Sequence, residues 1–250
     1  MNPQPAGFEL ADAAARWTKG LLVATLVLSL MGIVSGLLQT DLLSRAATGR
    51  ITEAEVAEND SREQLIGLLQ VPVFLGTGVA FLIWIYRAHR NLTALGGREL
   101  KYTPGWAVGS FLVPFVNLVR PMQVMREVWH GSDPSGIERD LSPAGPSIRR
   151  HLGTPPLVVW WWTLFLLSSF VGNSIVRMTF AQDQTLDQLQ TFTSLRVLSD
   201  LIDIPSAVVA VLLVGQITRW QSDRRIAILR PLGETPGAAH AEPIQPGQDS

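Results

Sequence analysis

The topology of this chain depends on one apolar stretch near its middle, residues 104–123, which reads PGWAVGSFLVPFVNLVRPMQ. Its uncharged part, residues 106–119, would be about 21 Å long as a helix, whereas the hydrocarbon core of a bilayer is about 30 Å thick. Pro114 divides it, because proline lacks the N–H group that a continuous helix needs. The sequence therefore predicts a re-entrant hairpin over residues 106–120, which enters and leaves the membrane on one side.

Four longer apolar segments flank this hairpin, at residues 20–39, 65–86, 157–176 and 201–218. Each has about the length that a helix needs to cross a bilayer. They are apolar on all faces instead of alternating, which argues against a membrane β-barrel. The whole chain is 47% hydrophobic and 16% charged, against about 25% charged residues in soluble domains. The predicted fold class is an all-α integral membrane protein with four transmembrane helices.

The distribution of basic residues predicts the orientation. If the N-terminus is cytoplasmic and only the four long segments cross, 15 of the 20 basic residues lie inside, whereas a crossing hairpin would leave 8 inside. Loops rich in arginine and lysine stay cytoplasmic. The eight tryptophans agree, because in the four-span arrangement all lie at or near the cytoplasmic face, and tryptophan prefers the membrane interface. Both termini are therefore predicted to be cytoplasmic.

The remaining segments divide by composition. Residues 1–16 are predicted to be a loose N-terminal segment, residues 17–225 the membrane domain, and residues 231–250, rich in proline, a disordered cytoplasmic tail. Residues 121–130 form an amphipathic pattern, with Met122, Met125 and Trp129 on one face. This pattern predicts a short helix at the inner membrane interface, although a helix that only packs against the hairpin would show it too.

Residues 86–129, YRAHRNLTALGGRELKYTPGWAVGSFLVPFVNLVRPMQVMREVW, resemble the bacterial domain-of-unknown-function 4328 family. In that family a YRA..RN-like motif precedes a PGWAVGWFFVPF.NLVRP-like block and a helix that ends in an acidic residue and Trp. The resemblance extends over roughly residues 17–225. It agrees with the multi-pass architecture and with an expected location in the bacterial cytoplasmic (inner) membrane. It implies no established activity and leaves the function open.

No catalytic, cofactor-binding or metal-binding residues are predicted. The chain has no cysteine, which excludes thiolate metal sites and a cysteine nucleophile. Its four histidines lack the spacing of a zinc site, and it has no G-x-S-x-G, Walker A or Rossmann motif. A net charge of −1 gives no field that would attract nucleic acid. A membrane enzyme is therefore the least favoured class, and no cofactor is expected.

Basic and aromatic residues around the hairpin are the predicted contacts with lipid or a protein partner. Clusters of this kind attract anionic lipid by about 1 kcal/mol per basic residue, although a cytoplasmic location alone would also explain them. The candidates are Arg87, Arg90, Asn91, Trp106, Asn117, Arg120, Arg126 and Trp129.

Polar groups within the spans need partners, because unpaired polar groups are costly in lipid. Arg177, at the outer end of the third span, is predicted to pair with Asp200 or Asp203. Gln70 in the second span must also find a partner. The small residues Gly32 and Gly36 would let the first span approach another helix closely, in the same chain or in a second copy.

The function expected from these features is a non-enzymatic, membrane-embedded binding or scaffold module. Its hairpin and basic collar would contact membrane lipids or a protein partner, and a homo-oligomer is left open. The alternative is a small transporter or channel component, because broken helices line permeation paths in such proteins. That alternative predicts water access to Asn117 and Gln70.

Overall fold

The computed structural model describes residues 11–145, 148, 151–179 and 185–229, and this part of the chain contains helices and no strand. The helices are α1 (Asp12–Ala46), α2 (Glu53–Ala94), α3 (Pro104–Leu112), α4 (Arg120–Ser132), α5 (Ile137–Leu141), α6 (Pro156–Thr179) and α7 (Leu186–Leu229). Short 3₁₀ turns lie at Val116–Leu118 and Pro134–Gly136.

Four of these helices, α1, α2, α6 and α7, are long and apolar enough to cross a membrane. The predicted all-α fold is therefore confirmed for the described residues, and its four long apolar helices are compatible with four membrane spans. Both α2, with 42 residues, and α7, with 44, are longer than a bilayer is thick. The prediction located the apolar segments correctly and did not foresee how far these two helices continue beyond them.

The bundle has two distinct ends. We call the end where α2 finishes and α6 begins the hairpin end, because α3 and α4 pack there. The opposite end, which holds the connection between α1 and α2, is the loop end. Along the bundle α1 packs against α2 and α7, and α7 packs against α6. The four long helices thus follow the order α2, α1, α7, α6.

Close contact between α1 and α7 depends on glycine. A Cβ atom added to Gly32 would overlap the carboxylate of Asp200, and one added to Gly36 would overlap the side chain of Val197. Small residues let membrane helices approach until their backbones nearly touch. The small-residue face predicted for the first span is therefore used within the chain itself.

The apolar stretch at residues 104–123 folds as the short helix α3, a 3₁₀ turn and the beginning of α4. Thr103 caps α3 by accepting a hydrogen bond from the Trp106 N–H, and Pro104 occupies the first turn. The helix ends at Leu112, before Pro114, and Phe115 takes a left-handed backbone conformation with φ of 62°. With nine residues, α3 is about 13 Å long and far too short to cross a bilayer.

The best-packed core lies at the hairpin end. Val124, Met125 and Val128 of α4 are completely buried, and so are Trp84 of α2 and Leu213 of α7. Because α4 contacts α2, α3, α6 and α7, its buried face packs on the bundle, and the position of this helix at the membrane interface stays a prediction. Large apolar side chains on the long helices, among them Val34, Leu68, Phe170 and Leu212, are exposed, as expected of surfaces that face lipid.

The sequence predicted a loose segment at the N-terminus and a disordered tail at the C-terminus. Helix α1 begins at Asp12, so residues 12–16 are helical and the prediction of a loose segment over residues 1–16 is wrong for them. An acidic residue in the first turn suits a helix start, because it faces the positive end of the helix dipole. The predicted disordered tail, residues 231–250, lies outside the described residues.

Candidate functional site

A cavity of about 540 Å³ opens at the base of the hairpin, and we call it the hairpin pocket. Its lining contains two basic side chains, an exposed indole, and no acidic side chain: Lys101, Tyr102, Trp106, Val116, Val119, Arg120 and Gln123. The Arg120 guanidinium lies over the Trp106 ring, 5.4 Å from its centroid. Lys101 Nζ lies 5.2 Å from the centroid of Tyr102. The pocket thus offers cations held beside aromatic faces, which is an arrangement suited to an anionic group.

The tip of the hairpin is apolar and exposed. Phe115 is 86% exposed and Leu112 is 68% exposed, and Leu118 and Val119 next to them are also open. On the opposite face of α3, Ala107 and Ser110 are completely buried. An exposed patch of this kind indicates contact with another apolar phase or a partner.

The walls of the hairpin pocket are held by Glu127 of α4. Its carboxylate accepts hydrogen bonds from the backbone N–H groups of Lys101, at 2.5 Å, and Tyr102, at 3.3 Å. It also bonds His89 Nε2 on α2 at 3.1 Å. The Tyr102 hydroxyl donates to Gln123, one turn before Glu127 on α4. Glu127 therefore links the segment after α2 to α4 and fixes where Lys101 projects.

The second polar network at this end buries a residue that the sequence analysis placed at the surface. Asn91 is completely buried, and its Nδ2 donates to Gln221 Oε1 of α7 at 3.1 Å. Gln221 Nε2 donates in turn to the Ala88 carbonyl, at 2.8 Å, and to Ser132 Oγ, at 3.0 Å. The prediction of Asn91 as a lipid or partner contact is wrong, because this side of α2 faces α7.

A buried ion pair closes the same end of the bundle. Arg224 of α7 is 1% exposed and donates to Asp140 Oδ2 at 2.9 Å. It also donates to the carbonyl oxygens of Leu95, at 3.1 Å, and Asp133, at 2.8 Å. One guanidinium thereby joins the end of α2, the end of α4 and α5. Sequence reasoning missed this pair, since no local spacing relates residues so far apart in the chain.

The other predicted contact residues are dispersed. The structure brings Trp106 and Arg120 together, whereas Arg87, Arg90 and Arg126 are not among the residues that line the hairpin pocket. Asn117 is half-buried near the tip. Lys101, Tyr102 and Gln123 complete the pocket, and the basic character of Lys101 was the only sequence signal for them.

Trp129 helps to line a second pocket of similar chemistry at the hairpin end. This cavity of about 460 Å³ combines Lys19 of α1 and Arg219 of α7 with an apolar wall of Leu157, Val211, Leu212 and Gly215. The Trp129 ring also packs edge-on against Trp220, with centroids 4.7 Å apart. We call it the α1–α7 pocket. Both pockets therefore pair two basic side chains with an indole and an apolar wall.

At the level of the predicted spans, a chain of polar side chains joins α1, α2 and α7 toward the loop end. Gln70 Nε2 donates to Asp200 Oδ1 at 3.2 Å, and Arg196 Nη2 donates to Gln70 Oε1 at 3.4 Å. Arg196 Nη1 forms an ion pair with Glu63 at 2.7 Å, and the same carboxylate hydrogen-bonds Ser35. The expectation that Gln70 needs a partner at this depth is therefore confirmed.

The predicted pairing of Arg177 with the two acids does not form. Arg177 is exposed at the end of α6, and no ion pair of the described residues joins it to Asp200 or Asp203. Asp203 instead accepts a hydrogen bond from Ser168 Oγ at 2.5 Å. Arg196 precedes Asp200 by one turn of α7 and lies on the same side of that helix, which is why it supplies the positive charge near this carboxylate.

Within the described ranges, no group of three or more histidine, aspartate or glutamate side chains is arranged to hold a metal ion. His130 Nε2–H donates a hydrogen bond to the Gly153 carbonyl at 2.8 Å, and burial lowers the pKa of its imidazole. Burial thus favours the neutral form of His130.

The comparisons with known proteins identify one family. The model of a domain of unknown function, DUF4328, matches residues 47–219. The match begins just after α1 and contains the hairpin, both pockets in large part, and most of α7. No curated protein and no solved structure matches the chain.

Proposed function

The chain belongs to the DUF4328 family, a domain of unknown function, and we propose that it is a non-enzymatic membrane module that binds anionic lipid headgroups at its hairpin end. The observation that carries this proposal is the hairpin pocket. Lys101, Arg120 and the Trp106 indole face one cavity beside an apolar, exposed tip. Phosphate groups favour cations and N–H donors, and tryptophan favours the headgroup level of a membrane.

The proposal includes a placement in the membrane. The hairpin end faces the cytoplasm of a bacterial cell, both termini are cytoplasmic, and the tip around Phe115 enters the inner leaflet without crossing it. The positive-inside distribution supports this orientation. The short length of α3 and the exposure of Phe115 and Leu112 support the re-entrant tip. In this placement α4 lies at the depth of the headgroups while packing on the bundle.

The α1–α7 pocket supports the same function independently. It combines Lys19, Arg219 and Trp129 with an apolar wall that would accept the start of an acyl chain. Two sites of equal chemistry at one end of the bundle are expected of a protein that orders anionic lipids around its inner face. A protein partner or a second copy could share that surface, and this stays a prediction.

A direct test removes the two basic side chains of the hairpin pocket and measures which lipids still bind. In nanodiscs, the Lys101→Gln, Arg120→Gln double variant should bind phosphatidylglycerol at the hairpin pocket at least tenfold more weakly than the wild type, since each basic residue contributes about 1 kcal/mol. The species with two bound lipids should therefore decrease, while the lipid in the α1–α7 pocket is retained. Phosphatidylcholine binding should not change. Native mass spectrometry of the released complexes measures both lipids.

Two control variants sharpen that test. Arg50→Gln removes an exposed charge at the loop end and should leave phosphatidylglycerol binding unchanged. The Arg87→Gln, Arg90→Gln, Arg126→Gln triple variant removes three basic residues that do not line the pocket and should weaken binding less than the double variant. If the double variant keeps as many bound phosphatidylglycerol molecules as the wild type, with equal affinity, the proposal is overturned.

The alternative function, a small transporter or channel component, has one observation in its favour. Gln70 and Asp200 lie in a cavity at membrane depth. Against it, the rings of Phe81 and Trp161 stack 5.7 Å apart between this cavity and the hairpin end. A permeation path would require water at these rings, which modification of Gly78→Cys by a water-soluble thiol reagent would reveal in this cysteine-free chain.

A further inference from the structure

A groove lies between α2 and α6 on the side of the bundle that α1 and α7 leave open. Two cavities form it, and they share Thr25, Phe74 and Asp203 in their linings. The one toward the loop end, about 270 Å³, is the polar chamber, with Ser29, Gln70, Arg196, Ser199 and Asp200. The other, about 450 Å³, is the apolar chamber. The shared lining shows that the two chambers adjoin each other along the groove.

The polar chamber is rich in acceptors. Asp200 and Asp203 both line it, and Arg196 is the one basic side chain in its lining. The guanidinium of Arg196 is already engaged by Glu63, at 2.7 Å. Asp203 receives a hydrogen bond from the neutral hydroxyl of Ser168 and has no basic partner among the described residues. The complementary head for this chamber is therefore a cation with several N–H donors.

The apolar chamber ends at α3. The Phe111 ring lies 5.7 Å from Phe81, 6.4 Å from Trp161 and 6.3 Å from Phe165, measured between centroids. These four rings close the side of the chamber that faces the hairpin end. From Asp203 to Ala210, both in its lining, α7 rises about 10 Å. The chamber therefore has the length for a medium alkyl chain and a closed end against which the chain would stop.

The groove is open sideways, toward the surface that faces lipid. Phe74, shared by both chambers, is 69% exposed, and Leu112 at the rim of the apolar chamber is exposed as well. Direct packing between α2 and α6 is slight along this part of the bundle. A molecule from the bilayer could therefore enter without a path through water.

We propose that this groove binds a single-chain amphiphile with a cationic amine head. The head lies between the carboxylates of Asp200 and Asp203, and the alkyl chain runs along α7 to the rings of Phe111 and Trp161. This site differs from the two pockets at the hairpin end in depth, in charge and in ligand. Its occupant is a medium-chain amine, whereas theirs is an anionic phospholipid.

The test uses the full chain in phosphatidylcholine nanodiscs and a brominated probe, 12-bromododecylammonium. Bromine quenches nearby indoles, so binding should quench Trp161 fluorescence with saturation, and Trp161→Phe should remove most of that quenching. A probe with the same bromoalkyl chain and a neutral hydroxyl head, 12-bromododecanol, should bind at least tenfold more weakly. Equal saturation by the amine and the alcohol, or quenching that rises linearly as in bulk lipid, would overturn the proposal.

Substitutions test the roles of the polar and the apolar chamber separately. Asp203→Asn should reduce the preference for the amine over the alcohol by about tenfold. Ser206→Phe fills the apolar chamber and should abolish saturable quenching, whereas Val208→Phe adds the same ring on the adjacent exposed side of α7 and should not. If Asp203→Asn fails to fold, the comparison of Ser206→Phe with Val208→Phe still tests where the probe binds. Equal quenching in these two variants would show that the probe does not bind in the groove.

Discussion

At the scale of single residues, the hairpin end depends on a few polar side chains that join distant segments. Arg224 and Asp140 are both almost completely buried, and Arg224 also satisfies two backbone carbonyl groups. A buried ion pair needs such additional bonds, because removing two charges from water is costly. Glu127 acts similarly, since its carboxylate orders the backbone that carries Lys101. Lys101, a residue of the proposed lipid site, is therefore positioned by Glu127, which does not line the hairpin pocket itself.

The first prediction at this scale concerns Glu55, which lies in the first turn of α2 at the loop end. The Arg45 guanidinium, at 2.6 Å, together with the N–H and hydroxyl of Thr52, lowers the pKa of its carboxyl from 4.5 to about 2. Because the folded state favours the ionised form, this contribution to stability is present above about pH 4.5 and is lost as the pH falls toward 2. Thermal unfolding at pH 6 and pH 3 should show a smaller acid-induced decrease in Tm for Glu55→Gln than for the wild type.

Glu53→Gln is the matched control, because Glu53 lies in the same turn and takes no part in the capping box formed by Thr52 and Glu55. It should keep the acid sensitivity of the wild type. The effect at Glu55 should also shrink at high salt, since the pair with Arg45 is exposed and therefore screened. Identical pH dependence of Glu55→Gln and the wild type would contradict the assignment.

At the scale of helices, the contact between α1 and α7 decides the shape of the groove. Gly32 lets α1 approach the carboxylate of Asp200, which in turn holds Gln70 of α2. A methyl group at position 32 must displace Asp200 and break that link. Gly32→Ala should therefore lower the free energy of unfolding by about 1 to 3 kcal/mol, as expected for overpacking. Unfolding in mixed micelles with increasing denaturing detergent measures this difference.

Gly20→Ala is the control for that substitution. It lies on the same helix, and an added Cβ there would meet no atom within 4 Å. Its effect on stability should stay within about 1 kcal/mol, since only the intrinsic preference of the helix for alanine changes. A destabilisation of Gly20→Ala as large as that of Gly32→Ala would show that helix propensity, and not the contact with α7, is responsible.

At the scale of the whole molecule, the proposed function depends on which end of the bundle faces the cytoplasm. The chain contains no cysteine, so single cysteines report on topology without background. Ser135→Cys at the hairpin end and Thr48→Cys at the loop end are both at exposed positions. A membrane-impermeant maleimide applied to intact bacterial spheroplasts should label position 48, and should label position 135 only after lysis. The reverse pattern would move both hairpin-end pockets to the outer leaflet and remove the basis of the proposed orientation.

The sequence by itself predicted the features that depend on local composition. The four apolar segments coincide with α1, α2, α6 and α7 because crossing a bilayer requires a run of about 20 apolar residues wherever it occurs. The break near Pro114 follows from the missing N–H of proline, and α3 ends two residues before it. The small face of Gly32 and Gly36 was also recognisable, because close helix contacts need small side chains.

Only the tertiary structure decided which residues meet. The spans are apolar all round, so their sequences do not show how each helix is rotated about its axis. That rotation buries Asn91 against Gln221, and it places Arg196 instead of Arg177 beside Asp200. The pairing of Arg224 with Asp140 and the meeting of Phe111 with Trp161 likewise join segments distant in the chain. The candidate binding sites consist of such long-range contacts, which is why composition identified a membrane protein and packing alone located its pockets.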